Sequence, residues 1–495
     1  MIPSLISLLY AVAALLGAAF ALVELRMLAR FLRNRSAIIA SSGAANSPTR
    51  HRPDSDAPTV TIQIPLYNER TLAEQILLAA AAQDYPSGRF DIQVLDDSTD
   101  ETSALVARVV EQVRARGVRM EHLHRDNRRG YKAGALAEGL ERSTCEYVAV
   151  FDADFVPEPS FLRRLLLESD AFDDPKVAFV QARWAWGSAV QGWLPSALAL
   201  LLDRHFRVQK PTRAFAGNVT TFNGSGGIWR REAIDAAGGW TADTLTEDLD
   251  LSYRCALAGW HGRYLQDVKV LNELPAHIRA FKLQQQRWAR GNAQCFRKLT
   301  GRVMSSGRVV RDRWDEAFTL AGYAIHPLLL ASLLLWPWAV LYVDRTLFWV
   351  LQAFMSLGIV AAFLSFLITL RERGQPLSPS ALGQVTVGLA VGMGLMVNNT
   401  VGQLQGFASS GGEFVRTPKG KAQSSAATSS PPGAPMEYKT PLHWTFLAEI
   451  LVIGYCVAGA AFLIQQGEGL WSLAMIGWAA CLGLMVQQQI AHRSA

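Results

Sequence analysis

Apolar residues in this chain are gathered into long runs at its two ends, and that layout limits the folds open to it. Residues 2–23 form one nearly uncharged run, and 318–343, 347–370, 446–464 and 470–486 form four more. At about 20 residues each, they are long enough to cross a bilayer as helices. Backbone polar groups in hydrocarbon must be satisfied within the segment, so spans of this length are expected to be helical. The stretch between, from about residue 60 to 314, is charged and periodic and reads as a water-soluble domain. A hydrophobic fraction of 50% across 495 residues fits a membrane protein better than a large soluble one.

Charge sets the expected orientation. A secretory signal is the competing reading of residues 2–23, because Ala19-Phe20-Ala21 resembles a cleavage site. Against it, no basic residue precedes the run, while Arg26, Arg30, Arg33 and Arg35 follow it. That cluster places the following domain in the cytoplasm. Residues 382–401 pose a parity problem. If they crossed, Arg416, Lys419, Lys421, Lys439 and the terminal His492-Arg493 would all lie outside, against the positive-inside rule. Gly383, Gly388, Gly392 and Gly394, with the polar Asn398-Asn399-Thr400, suit an interfacial or re-entrant element at 382–407. The expected organisation is an N-terminal span with its basic flank (1–35), a linker (36–58), a cytoplasmic domain (59–314) and a C-terminal membrane region (315–495) that includes a loop at 408–443. This gives about five spans, the N-terminus outside and the C-terminus inside.

Cys145, Cys255, Cys295, Cys456 and Cys481 are scattered without metal-ligand spacing, as in a reduced compartment. The net charge of +6 comes mostly from basic residues beside the apolar runs, where they would meet anionic headgroups of the lipid bilayer or simply reflect positive-inside topology, the favoured reading. No basic-aromatic module points to nucleic acid.

Within the middle, residues 60–66, 91–95, 119–123 and 147–151 read as short buried strands, and 71–83, 101–116 and 132–141 as amphipathic helices. This alternation predicts an α/β domain: a Rossmann-like, mostly parallel sheet covered on both faces, with ligands beyond the carboxyl ends of its strands. Asn68-Glu69, Asp96-Asp97, residues 125–132 and Asp152-Ala153-Asp154 all fall at those ends. The G-x-G-x-x-G turn of a dinucleotide-binding domain is missing, and Pro65-Leu66-Tyr67-Asn68-Glu69 stands in its place.

Acidic strand ends would repel a bare diphosphate and make sense with a divalent cation between. Asp152 and Asp154 can present oxygens to Mg²⁺ or Mn²⁺, which in turn would hold a nucleotide diphosphate and neutralise charge on it as it departs. One of Asp96 and Asp97 would accept hydrogen bonds from the base or ribose, while its neighbour caps the next helix with Ser98 and Thr99. Lys132 is a candidate counter-charge to the nucleotide, with a plain surface lysine as the alternative.

Thr246-Glu247-Asp248 opens a helical pattern over 248–258, and an ionised carboxylate is favoured at such a start. Asp248 can then act as a general base on an acceptor hydroxyl, or serve only as a cap. In Gln284-x-x-Arg287-Trp288 the spacing brings three side chains to one helix face. There arginine can clamp a diphosphate and the indole can floor a sugar ring, unless the helix merely packs against the membrane region. Asn223-Gly224-Ser225-Gly226-Gly227 reads either as a backbone cradle near the acceptor or as a tight turn.

Taken together, Asp96/Asp97, Asp152-x-Asp154, Thr246-Glu247-Asp248 and Gln284-x-x-Arg287-Trp288 resemble the D, DxD, TED, QxxRW signature of membrane-bound family-2 glycosyltransferases. The words at 127–136, 151–155, 180–184, 236–240 and 272–275 resemble the cellulose-synthase-like A branch, the glucomannan 4-β-mannosyltransferases. The resemblance implies a glycosyltransferase A-type fold and a nucleotide-sugar donor, GDP-mannose or UDP-glucose. It also implies an inverting mechanism with Asp248 as base, Glu69, Asp96, Asp97, Asp152, Lys132, Gln284, Arg287 and Trp288 around the donor, and a β-linked polymer extruded through the same chain. Residues 414–420 resemble an F-x-V-T-x-K gating loop, which would set Thr417 and Lys419 over the donor, although Arg416 departs from that pattern. A cyclic-dinucleotide-binding domain of the kind attached to bacterial cellulose synthases is not expected within this chain. A single-addition enzyme acting on a lipid acceptor shares most of these motifs. A nucleotide-sensing transporter or channel is the alternative from another class.

Overall fold

The computed structural model describes residues 2–43, 52–187, 192–275, 277–413 and 444–491. After α1 (Ile2–Ser41), the chain alternates β1 (Val60–Leu66), α2 (Arg70–Ala81), β2 (Phe90–Asp96), α3 (Thr102–Ala115), β3 (Met120–His124), α4 (Tyr131–Glu141) and β4 (Tyr147–Val150). Each strand and helix expected here lies within two residues of these bounds. β1 pairs in parallel with β2 and with β4, and β2 with β3. The pleat sends Ile62, Ile64 and Val94 to the face covered by α2 and α3, and Leu95, Val148 and Val150 to the face covered by α4.

Beyond β4 the sheet becomes mixed. β5 (Phe155–Pro157), α5 (Phe161–Leu166), β6 (Val177–Trp186), α6 (Trp193–Asp203), α7 (Lys210–Phe215), β7 (Gly227–Arg230), α8 (Arg231–Ala236), α9 (Glu247–Leu257) and β8 (His261–Asn272) complete it. The strand order is β3-β2-β1-β4-β7-β6-β8-β5, with β7 antiparallel to both of its neighbours. The turn at Asn223–Gly227 sends the chain back beside β4, and periodicity within one strand carries no information about such a partner.

The remaining helices are α10 (Ile278–Met304), α11 (Val310–Leu320), α12 (Ile325–Tyr342), α13 (Arg345–Glu372), α14 (Pro379–Gly394), α15 (Met396–Ala408), α16 (Thr445–Gln465) and α17 (Gly469–Ala491). Among the described residues, five helical segments are long and apolar enough to cross a membrane: α1, Gly322–Tyr342, α13, α16 and α17. They correspond to the five apolar runs, and the chain has the build of a membrane protein. Tyr10, Leu333, Trp336, Phe348 and Trp478 pack together in the middle of the bundle. α14 and α15 form a pair bent by 43°. The amides of α15 find protein partners: Asn398 Nδ2 donates to the Lys282 carbonyl of α10 at 3.0 Å, and Gln403 Nε2 to the Ala289 carbonyl at 2.9 Å.

α1 is broken by a kink at Asn34 (φ −117°, ψ 18°), after which a second helical segment runs to Ser41, through six residues of the stretch expected to be a linker. Ile38 is fully buried with Phe31 and Val208, and Arg35 pairs with Glu372 of α13 at 2.7 Å. Those contacts, distant in sequence, hold residues 36–41 in a helix.

Candidate active site

The strand ends converge as expected, through side-chain bonds between turns. Asn68 takes a left-handed conformation (φ 53°); its amide donates to Ser98 Oγ at 2.9 Å, and its own Oδ1 accepts from the Thr99 amide at 2.9 Å. The turns after β1 and β2 are thereby locked together. Asp97 and Asp96, adjacent at the end of β2, part company. The Asp97 carboxylate faces a large cavity and is held by Arg125, whose Nε and Nη2 each donate at 2.7 Å. Asp96 is turned away from the cavity and accepts from the Ser98 amide and from His122. Neither aspartate caps α3, whose Thr102 amide donates to Asp100 instead, because the helix begins four residues beyond Ser98.

Lys132 stands at the centre. Its Nζ lies 2.5 Å from Asp152 Oδ1 and 3.6 Å from Glu247 Oε1, and donates to the Gly224 carbonyl at 2.9 Å. The sharp turn ahead of it requires glycine: Gly130 has φ 73°, and an added Cβ would meet the Gly134 backbone at 3.0 Å. Asp152 is anchored through its own amide, which donates to Ser225 Oγ at 2.9 Å, and Asp154 is buried. The 223–227 turn is itself braced by Gln181, whose Nε2 donates to the Ser225 and Gly226 carbonyls while its Oε1 accepts from the Asn223 amide.

Glu247 and Asp248 open α9, and α10 lies across that opening. Gln294 Oε1 of α10 accepts from the Leu245 amide at 2.8 Å. On the same helix Gln284, Arg287 and Trp288 line the cavity, as do Glu69, Lys132, Asp152, Asp154 and Asp248. Thr417 and Lys419 lie outside the described residues.

The cavity, of 1220 Å³, does not stop at these groups. It continues among the membrane helices, where Ser332, Trp336, Gln352, Ser356, Met393 and Trp478 line it. It also exposes residues that no motif singles out. Arg128 stacks on the Tyr67 ring at 3.2 Å. His205, on a π-helical turn between α6 and α7, lies with its Nε2 3.4 Å from Asn223 Nδ2, and Lys210 feels the Asp248 charge while its Nζ donates to the Thr221 carbonyl at 2.5 Å and to Asn223 Oδ1. A histidine and a lysine interrupting the largely apolar run that begins at residue 193 were the available signal.

Burial, with Glu247 next to it and Lys132 opposing, pushes the half-buried Asp248 carboxyl up to about 7. Burial also pulls Lys210 down to about 7, against the attraction of Asp248, and His205 down to about 3. The Arg287 guanidinium is pulled below its ordinary value by burial, opposed by Glu247, Asp152, Asp248 and Asp154.

Residues 57–291 match the family described as Glycosyltransferase like family 2. They form a family 2 glycosyltransferase domain. Glucomannan 4-beta-mannosyltransferase 2 of Arabidopsis thaliana is 44% identical to this chain over 277 residues, 54% of this chain and 50% of its own length. A probable glucomannan 4-beta-mannosyltransferase 9 of Oryza sativa subsp. japonica is 39% identical over 300 residues, 59% of this chain and 55% of its own. The chain spans about half the length of the curated relatives it matches. A solved mannosyltransferase from Pyrobaculum calidifontis, in complex with GDP-Man and Mn²⁺, aligns with 80% of this chain and 99% of its own at 22% identity, with a TM-score of 0.53. That likeness supports the glycosyltransferase A-type fold of the domain.

The donor set of the transferase domain suits a hard divalent cation. Asp152, Asp154, Glu247 and Asp248 face Lys132, Arg287 and Lys210, so carboxylates outnumber cations even when all are ionised. Carboxylate oxygens in that arrangement match Mg²⁺ or Mn²⁺. Burial first, and the neighbouring Glu247 charge second, raise the proton affinity of Asp248 within that cluster.

Proposed function

We propose that the protein is an inverting, metal-dependent hexosyltransferase that builds a β-linked polysaccharide of mannan type from a nucleotide sugar and passes it across the membrane through its own helices. The observation that carries this reading is the single cavity joining the carboxylate cluster to the interior of the helix bundle. The names of the 44% and 39% identical relatives favour GDP-mannose over UDP-glucose as donor.

In this reading Asp97, oriented by Arg125, accepts hydrogen bonds from the nucleoside, with the Tyr67–Arg128 stack beside it. Lys132 and Arg287 offset the diphosphate charge. Asp152 and Asp154 would hold Mg²⁺ or Mn²⁺, which when bound supplies Lewis-acid neutralisation of the leaving diphosphate. Trp288 floors the acceptor sugar. Asp248 takes the proton of the acceptor hydroxyl as its oxygen bonds to the anomeric carbon and the bond to phosphate breaks, its electron pair leaving on the diphosphate. Attack from the face opposite the leaving group inverts the centre. A base whose proton affinity lies near neutrality suits this task. The basic residues after the first span support a cytoplasmic catalytic domain.

The test is incorporation of radiolabelled sugar by purified protein in lipid vesicles, offered GDP-mannose or UDP-glucose with Mg²⁺ or Mn²⁺. A mannanase-sensitive polymer from GDP-mannose is expected. A β-glucanase-sensitive polymer from UDP-glucose would change the donor, and a single-sugar lipid as the sole product would overturn polymerisation.

A further inference from the structure

On the face of the sheet away from the cavity, two imidazoles converge on one buried carboxylate. Asp96 ends β2 and pairs across the parallel ladder with His124, the last residue of β3. His122 stands two residues earlier on the same strand, so the pleat turns both rings to one side. His122 Nε2 lies 2.8 Å and His124 Nδ1 3.2 Å from the same oxygen, Asp96 Oδ2. The other oxygen, Oδ1, is occupied by the Ser98 amide at 2.9 Å, which fixes the carboxylate's orientation. One ligand atom from each residue lies within 4.8 Å of the other two.

We propose that Asp96, His122 and His124 form a binding site for a borderline transition-metal ion such as Zn²⁺, separate from the Asp152–Asp154 site. Ligands about 2.0–2.1 Å from a tetrahedral ion stand about 3.3 Å from one another, close to the 2.8 and 3.2 Å that separate the two nitrogens from Asp96 Oδ2. Two imidazoles and one carboxylate, with a fourth position for water, suit zinc, whereas magnesium prefers oxygen alone. Access is open, since the Asp96 side chain is fully buried but those of His122 and His124 are 18% and 39% exposed. Ser103 Oγ of α3, 3.4 Å from His124 Nδ1, and the exposed Asp126, 3.9 Å from His124 Nε2, add nearby oxygens. Asp97 follows Asp96 directly, so an ion here would tie the end of β2 to β3 beside the proposed nucleoside contact.

The test uses full-length protein with a tag free of histidine, stripped with chelator in lipid nanodiscs. Zn²⁺ binding is measured by competition with a chromophoric chelator, and Co²⁺ serves as a spectroscopic probe. Wild type should bind one more equivalent of zinc than His122→Ala/His124→Ala, and the Asp152→Asn/Asp154→Asn variant should keep that equivalent. Only the first two should show the strong visible bands of low-coordinate cobalt. His124→Ala alone, at the more exposed position, should weaken zinc binding by at least about tenfold. Equal zinc stoichiometry in wild type and the double histidine variant, or a weak octahedral cobalt spectrum in both, would overturn the site.

Discussion

Gly291 of α10 lies directly against Thr246, so close that a Cβ on the glycine would fall 2.6 Å from Thr246 Cγ2 and 2.9 Å from its amide nitrogen. The helix that carries Arg287 and Trp288 is thereby seated on the turn that presents Glu247 and Asp248. Gly291→Val must push the two apart. Overpacking of this kind costs about 1–3 kcal/mol, and transfer should fall more steeply than stability because the site is split. Gly301, on the same helix with open space around it, is the control. Gly301→Ala should raise the melting temperature and leave transfer unchanged, and equal losses in both variants would refute the coupling.

Asp248 ties turnover to pH. Only its ionised form accepts a proton, so the rate should rise with pH through about 7. Asp248→Asn should lose turnover by roughly 10²–10⁴-fold while donor binding persists. Stability should move the other way. A carboxyl whose folded-state proton affinity is raised stabilises the fold below its ordinary range near 3.8, and that contribution is lost as pH rises through about 7. In the presence of chelator, Asp248→Asn should therefore melt above wild type at pH 8, by a margin that narrows at pH 5 and closes only below about pH 4. A gap that widens on acidification would contradict the assigned shift.

Removing Lys132 leaves Asp152 and Glu247 without their shared cation. Breaking a buried pair on one side costs about 3–5 kcal/mol, with the cost reduced here because Asp152 is a third exposed. Mn²⁺ should restore more of the melting temperature of Lys132→Met than it adds to wild type, since the ion relieves the same repulsion. Equal manganese responses in the two proteins would argue against a cation site at Asp152 and Asp154.

The Arg125–Asp97 fork predicts a binding defect. Lysine keeps the charge at position 125 but loses one of the two parallel bonds at 2.7 Å, which frees the Asp97 carboxylate to turn. Arg125→Lys should raise the donor KM about tenfold with kcat nearly unchanged. A fall in kcat at constant KM would exclude a nucleoside role for Asp97.

Gly392 of α14 lines the membrane part of the cavity with nothing within 4 Å of an added Cβ. A side chain can therefore start from position 392 without a clash at its Cβ, and Gly392→Trp places an indole at the passage wall. Product length, read on a gel, should shorten sharply while transfer of the first sugar to a short acceptor continues. Full-length product from this variant would rule the passage out as the exit route.

The α2–α4 and β1–β4 bounds were legible because each depends on a local period, 3.6 or 2 residues, and on the turn chemistry at its ends. Five candidate spans were legible for a similar reason, since bilayer thickness converts directly into a length of apolar chain, while the bent α14–α15 pair, which would make a sixth if it crosses as one span, is not decided by length and composition. The acidic site motifs could be placed at strand ends and a helix start, and Gln284-x-x-Arg287-Trp288 on one helix face, by the same reading.

Other features required the folded chain. Asp96 and Asp97 are neighbours in sequence, but Asp97 meets Arg125 at the cavity while Asp96 meets His122 and His124 behind the sheet. Arg125 and Lys132 found their partners, Lys210 and His205 joined the site, and α15 docked on α10 through contacts between residues far apart in the chain. The proton affinity of Asp248 comes from burial among groups supplied by α4 and α9. By itself the sequence determined the elements and the chemistry each could carry, because periodicity and residue type are local properties. The tertiary structure alone decided which groups face one another, because distance and burial set both electrostatics and geometry, and neither is written within a single segment.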